Sequence, residues 1–163
     1  MNFFKRSPQK SDVVFQSPLN GRFLPLSEVP DETFSQKILG DGFAVDPSDG
    51  LVVSPVDGEV IQLFRTKHAL GIKSAEGLEI LIHVGVDTVK LNGEGFTALV
   101  AVGQKVKAGD KLLQFDLAII KAKAKSAITP VVITNMELIE KLEIIPADFV
   151  KCGQDVLRVE KKS

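Results

Sequence analysis

With 163 residues, 44% of them hydrophobic and 25% charged, the chain has the length and make-up of one globular domain around a single sizeable core. A net charge of −1 with no basic block excludes the electrostatic footprint of a nucleic-acid binder. The lone cysteine, Cys152, excludes an internal disulfide and a thiolate metal cage, and no apolar run approaches the roughly 20 residues of a membrane helix.

In chain order, residues 1–16 read as a flexible tail and residues 17–163 as the folded domain. The opening "MNFFKRSPQK" lacks an apolar signal core, and Phe3 and Phe4 offer at most a weak touch on a membrane surface. With a single cysteine, the expected location is the reducing cytoplasm. Short runs of Val, Ile, Leu and Phe then alternate with turns drawn from 13 glycines and 8 prolines. That pattern predicts many short strands and an all-β antiparallel sandwich or barrel, with one to three short helical turns. The strands are expected at residues 13–15, 43–45, 51–53, 59–64, 69–73, 78–84, 112–115 and 131–134. Helical signal is confined to residues 29–39, with Asp31 as cap, and residues 135–143, capped by Asn135.

The chain also repeats itself. "SPLNGRFLPL" (17–26) aligns with "SPVDGEVIQL" (54–63) at a spacing of 37. Each reads as two strands joined by an Asn-Gly or Asp-Gly hairpin turn, which predicts two related halves packed face to face.

The only two histidines, His68 and His83, lie in consecutive apolar runs joined by "SAEG" (74–77), a sequence that suits a type I turn. With the turn centred between Ala75 and Glu76, Ile72 faces Glu79, Leu70 faces Leu81, and His68 faces His83. Directly opposed residues place their Cβ atoms about 4.5–5.5 Å apart on one face, whereas a one-residue slip would send the imidazoles to opposite faces. Thr66 shares the face of His68, where its hydroxyl is placed to hold one ring nitrogen. Gly85 lets its backbone carbonyl approach His83, which would fix the tautomer and leave the other nitrogen nucleophilic. Asp87 follows on the same alternation if the strand runs on.

Three chemistries suit such a pair. A zinc hydrolase would need Asp87 as the third ligand in a two-His, one-carboxylate set. Acid–base hydrolysis would want a nucleophile, and no Gly-x-Ser-x-Gly is present. A histidine that takes up a phosphoryl group, while the second imidazole donates to its oxygens, fits best. Separately, "VGQKVKAGDKLLQFD" (102–116) resembles the strand pair of biotinyl and lipoyl carrier domains, although no methionine stands beside the downstream Lys121. A zinc peptidase of related sandwich shape would require a His-x-His pair, which the chain lacks.

"GLEILIHVGVDTV" (77–89) resembles the active-site signature of the glucose-type enzyme IIA of the bacterial phosphoenolpyruvate-dependent sugar phosphotransferase system. "GDGFAV" (40–45), "SPVDGEV" (54–60), "LNGEGF" (91–96) and "KAKSAITPVVITN" (123–135) are similar to that family too, and the likeness runs from about residue 17 to residue 157. The resemblance implies a sandwich of duplicated hybrid-motif type and a phosphotransferase acting through a phosphohistidine. His83 would accept the group on Nε2 from phospho-HPr and pass it to a cysteine on the IIB domain of a sugar permease. His68 would steady the phosphoryl group, Thr66 would orient His68, and Asp31 and Asp87 would stand at the rim. A partner surface is expected from Phe34, Leu39, Phe43 and Phe64, with Asp31 and Asp87. A monomer is expected, with no cofactor needed for transfer; zinc held by His68 and His83 with a partner's ligand is the one metal role the resemblance leaves room for, in a regulatory complex.

Overall fold

The computed structural model describes residues 12–163. Its strands pair antiparallel throughout and form three sheets. One sheet joins β1 (Asp12–Gln16), β14 (Asp155–Lys161) and β12 (Ile139–Ile144). A second joins β4 (Leu51–Val53), β10 (Lys111–Phe115) and β8 (Phe96–Ala98). The third is eight-stranded and runs β13 (Phe149–Val150), β2 (Gly21–Pro25), β3 (Asp41–Pro47), β11 (Thr129–Ile133), β7 (Glu79–His83), β6 (Ala69–Ser74), β5 (Gly58–Leu63), β9 (Lys105–Val106). The inward side chains, among them Phe15, Phe43, Leu70, Ile82, Leu113 and Leu157, make one continuous buried core. Each such side chain contributes about 1.5–3 kcal/mol relative to exposure, which closes the sheets on one another.

The fold is the expected all-β sandwich, and every expected strand is present. The tail boundary moves, because residues 12–16 form β1 and pair with β14. Phe3 and Phe4 lie outside the described residues. Among the described residues no helix is long and apolar enough to cross a membrane.

The repeat is structural, but its units are not hairpins. Ser17 Oγ donates to the Leu19 carbonyl at 2.7 Å and Ser54 Oγ to the Val56 carbonyl at 2.6 Å, both from fully buried positions. The corners also clasp each other: Gln16 N–H donates to Pro55 O at 3.0 Å and Val53 N–H to Pro18 O at 2.9 Å. The strand before each corner pairs elsewhere, β1 with β14 and β4 with β10, while the strand after it enters the large sheet. Glycine is needed there for close packing. A Cβ on Gly21 or Gly58 would lie 2.1 Å from Asp46 O or 2.3 Å from Lys73 O. A second, unforeseen pair of matching turns answers these corners. Cys152 N–H donates to Asn20 Oδ1 and Ala108 N–H to Asp57 Oδ1, each at 2.8 Å. Those turns sit in "VKCGQ" and "VKAGD", so the carrier-like look of the latter is one copy of this duplicated corner.

Helix α1 (Glu32–Ser35) forms where expected, with Asp31 Oδ1 accepting from Thr33 N–H at 2.8 Å as its cap. The helix expected at residues 135–143 does not form; a single 3₁₀ turn, Met136–Leu138, leads straight into β12. Asn135 is occupied elsewhere, accepting from Glu79 N–H and donating to Gly77 O. An unforeseen helix, α2 (Leu117–Lys123), is capped by Asp116. It carries Lys121 in a helix rather than at the tip of a hairpin, which removes the carrier-arm geometry.

Two features position the functional face. Leu24, Leu26, Val29, Phe34, Ala44, Val86 and Val132 form a smaller second core that seats α1 against the large sheet. The β6–β7 turn differs by one residue from the expected one: Gly77, at φ +96°, adds a third loop residue, with Gly77 N–H donating to Ser74 O. Ala69 therefore faces His83, and His68 pairs with Val84 through Val84 N–H to His68 O at 2.8 Å.

Candidate functional site

The slip should part the imidazoles, yet they meet. Strand β6 begins only at Ala69, and Lys67, the residue before His68, is left-handed at φ 60°, so face alternation does not extend to His68. Across from His83 stands only the methyl of Ala69. The two rings approach edge to face, with centroids 4.9 Å apart at 79°. Thr66 lies in the turn rather than on a strand, and its Oγ1 is 2.6 Å from His68 Nδ1.

His83 ends β7, and Gly85 at φ +72° and Asp87 at φ 62° turn the chain away. Asp87 thus reaches the site by a turn, not along a continued strand. The turn aims the Gly85 carbonyl back at the ring, 2.8 Å from His83 Nδ1. A carbonyl only accepts, so Nδ1 carries the proton and Nε2 holds the lone pair. Both Nδ1 atoms are engaged, and the two Nε2 atoms remain for chemistry.

Aromatic rings frame the pair. Phe34 lies 5.3 Å from the His83 ring and Phe64 meets His68 edge-on at 5.4 Å. His68 is buried and His83 half-buried. Burial, and then the charge of His83, lowers the His68 pKa to about 4. Burial also lowers that of His83, opposed by the Gly85 hydrogen bond and by the charges of Asp31 and Asp87. Both rings are therefore neutral at pH 7, the state a nitrogen nucleophile requires. Asp87 also pairs with Lys90 at 3.6 Å.

The expected partner surface needs correction. Phe43 is fully buried, packed 5.4 Å from Phe23, and Phe34 is 5% exposed on the inner face of α1. Both are core residues: Phe43 on β3 points into the main core, and Phe34 on α1 points into the smaller core that seats the helix. Phe64 is half-buried. Leu39 is 41% exposed, and Ile38 at 67% and Val89 at 52% are exposed apolar side chains as well; only the structure reveals Val89. Among the described residues no three His, Cys, Asp or Glu side chains converge as a metal-ligand set, so Asp87 does not complete a zinc hydrolase centre.

Residues 13–139 match the family described as phosphoenolpyruvate-dependent sugar phosphotransferase system, EIIA 1. Over 160 residues the chain is 54% identical to the PTS system glucose-specific EIIA component of Bacillus anthracis, covering 98% of this chain and 97% of that protein. It is 59% identical over 125 residues to the PTS system glucosamine-specific EIICBA component of Bacillus subtilis, a match spanning 77% of this chain and 20% of that protein. The solved structure of glucose permease IIA from Mycoplasma capricolum superposes with a TM-score of 0.87 at 39% identity, covering 94% of this chain and 99% of that one.

Proposed function

Because the chain belongs to the EIIA 1 family of the phosphoenolpyruvate-dependent sugar phosphotransferase system, a phosphoryl relay in sugar uptake, we propose that His83 is its phosphoryl acceptor. The observation that carries this reading is the pairing of His83 Nδ1 with the Gly85 carbonyl, which commits Nε2 to nucleophilic attack beside His68.

In the first step the His83 Nε2 lone pair attacks the phosphorus of the phosphohistidine on HPr. The N–P bond on HPr breaks, and its electron pair returns to the HPr imidazole. In the second step a cysteine thiolate of a IIB domain attacks the same phosphorus, and His83 Nε2 recovers its pair. With the Thr66 hydroxyl donating to His68 Nδ1, His68 Nε2–H points a neutral donor at the phosphoryl oxygens. The reaction is then positioning plus charge stabilisation, and it needs no metal. Zinc held by the two Nε2 atoms and a partner's ligand would occupy the acceptor nitrogen and oppose transfer. Asp31 and Asp87 favour a basic partner, which the exposed Ile38, Leu39 and Val89 would seat. The relatives carry glucose-specific and glucosamine-specific names, which supports a permease for one of these two sugars as the acceptor.

The test is a transfer assay with purified phospho-HPr and a IIB domain. His83→Ala should accept nothing. His68→Gln should accept but fail to pass the group on, because the donor that steadies the leaving phosphoryl is altered. Equal transfer by His68→Gln and wild type would remove the role of His68, and labelling of His83→Ala would remove that of His83.

A further inference from the structure

The tautomer of His83 depends on where the Gly85 carbonyl points, and the peptide unit just before that carbonyl is held by two buried hydroxyls. Val84 and Gly85 share one peptide unit, which is gripped at both ends. Thr88 Oγ1 donates to the Val84 carbonyl at 2.5 Å, and Gly85 N–H donates to Thr129 Oγ1 at 3.3 Å. Thr129 Oγ1 in turn donates to Ala127 O at 3.0 Å, which aligns its lone pair toward Gly85. The following peptide is held by Val86 N–H, donating to Ser126 O at 2.9 Å. Thr88 and Thr129 are both fully buried, where a hydroxyl without a partner would be costly. Thr129 opens β11 yet spends its side chain, rather than its backbone, on Gly85. The 84–85 peptide is thus locked by side chains contributed from two separate segments.

We propose that Thr88 and Thr129 are positioning residues for phosphoryl uptake: by clamping the 84–85 peptide they aim the Gly85 carbonyl at His83 Nδ1 and hold His83 in the tautomer with Nε2 free. Neither hydroxyl touches the phosphoryl group. The pair acts on one ring only, since His68 takes its orientation from Thr66. The functional part rests on His83 being the acceptor; the tautomer part does not.

That separation shapes the experiment. The chain has two histidines, so ¹⁵N-histidine labelling gives four assignable ring-nitrogen signals without any partner protein. Wild type should show His83 as a single Nδ1–H tautomer. Thr88→Val and Thr129→Val should move the His83 signals toward a tautomer mixture and leave those of His68 in place. Uptake from phospho-HPr should fall about tenfold, as expected when a reacting atom loses its fixed aim. Thr88→Ser and Thr129→Ser should restore both readouts. If a valine variant fails to fold, the matching serine variant, with Thr→Ala at the same position, gives the same comparison. Folded valine or alanine variants with wild-type His83 signals and uptake within about twofold of wild type would overturn the proposal. Shifted His83 signals in a chain that takes no phosphoryl group would keep the clamp but defeat the acceptor reading.

Discussion

At the scale of single residues, the site is governed by two glycines with different duties. Gly77 is left-handed at φ +96°, and a Cβ on it would meet nothing within 4 Å, so only backbone strain resists substitution there. Gly85 is left-handed at φ +72°, and a Cβ on it would lie 2.7 Å from both Ser126 O and Thr88 Cγ2. Gly77→Ala should cost about 1 kcal/mol of stability. Gly85→Ala should cost about 2–4 kcal/mol, because strain and steric overlap add, and should also misdirect the carbonyl that orients His83. Urea melts of the two variants check this, and equal losses would contradict it. The role of Gly85 was legible in the sequence, since a glycine two residues after a histidine leaves its carbonyl free to return to the ring. The role of Thr129 was not, because 44 residues separate it from its partner Gly85.

At the scale of elements, α1 serves the site twice. It seats Phe34 against the His83 ring, and it places the capping carboxylate of Asp31 where its charge raises the His83 pKa. The two duties of Asp31 separate chemically. Asp31→Asn keeps the cap and drops the charge; Asp31→Ala drops both. The alanine variant should lose about 1 kcal/mol of stability and the asparagine variant little. Both should lower the His83 pKa further, as read by NMR titration. An unmoved pKa in both variants would contradict the electrostatic role. The histidine hairpin shows how far local reading reaches. Alternation found both strands, but "SAEG" fits a two-residue and a three-residue loop alike, and Gly77 decided between them. The imidazoles meet because the ladder ends at Ala69, a fact of three-dimensional pairing rather than of spacing.

At the scale of the whole molecule, burial of His68 couples folding to pH. An unfolded histidine takes its proton near 6.5, whereas folded His68 resists until about 4. Between those values the unfolded chain binds more protons, so stability rises with pH across the window and falls as the pH drops through it. His68 accounts for a loss of up to about 3 kcal/mol between pH 6.5 and 4. Denaturation at pH 7 and pH 4.5 should show a smaller loss in His68→Gln than in wild type; the same loss in both would contradict the assignment. Global architecture was the least legible level. Strands were found from local runs, but nothing local tells β1 to pair with β14 at the far end of the chain. For the same reason Phe43 looked like a surface aromatic until the order of the sheet buried it. The duplicated corners were visible as a repeat, but their assembly into a clasp, rather than two hairpins, required the sheets.

The measurement that bears most directly on the account is the position of the phosphoryl group. The chain would be phosphorylated from phosphoenolpyruvate through enzyme I and HPr, with ¹⁵N-labelled histidine, and the modified nitrogen read by NMR. The account predicts one acid-labile group on His83 Nε2, with Nδ1–H still bonded to the Gly85 carbonyl. A group on His83 Nδ1, on His68, or on neither histidine would contradict it.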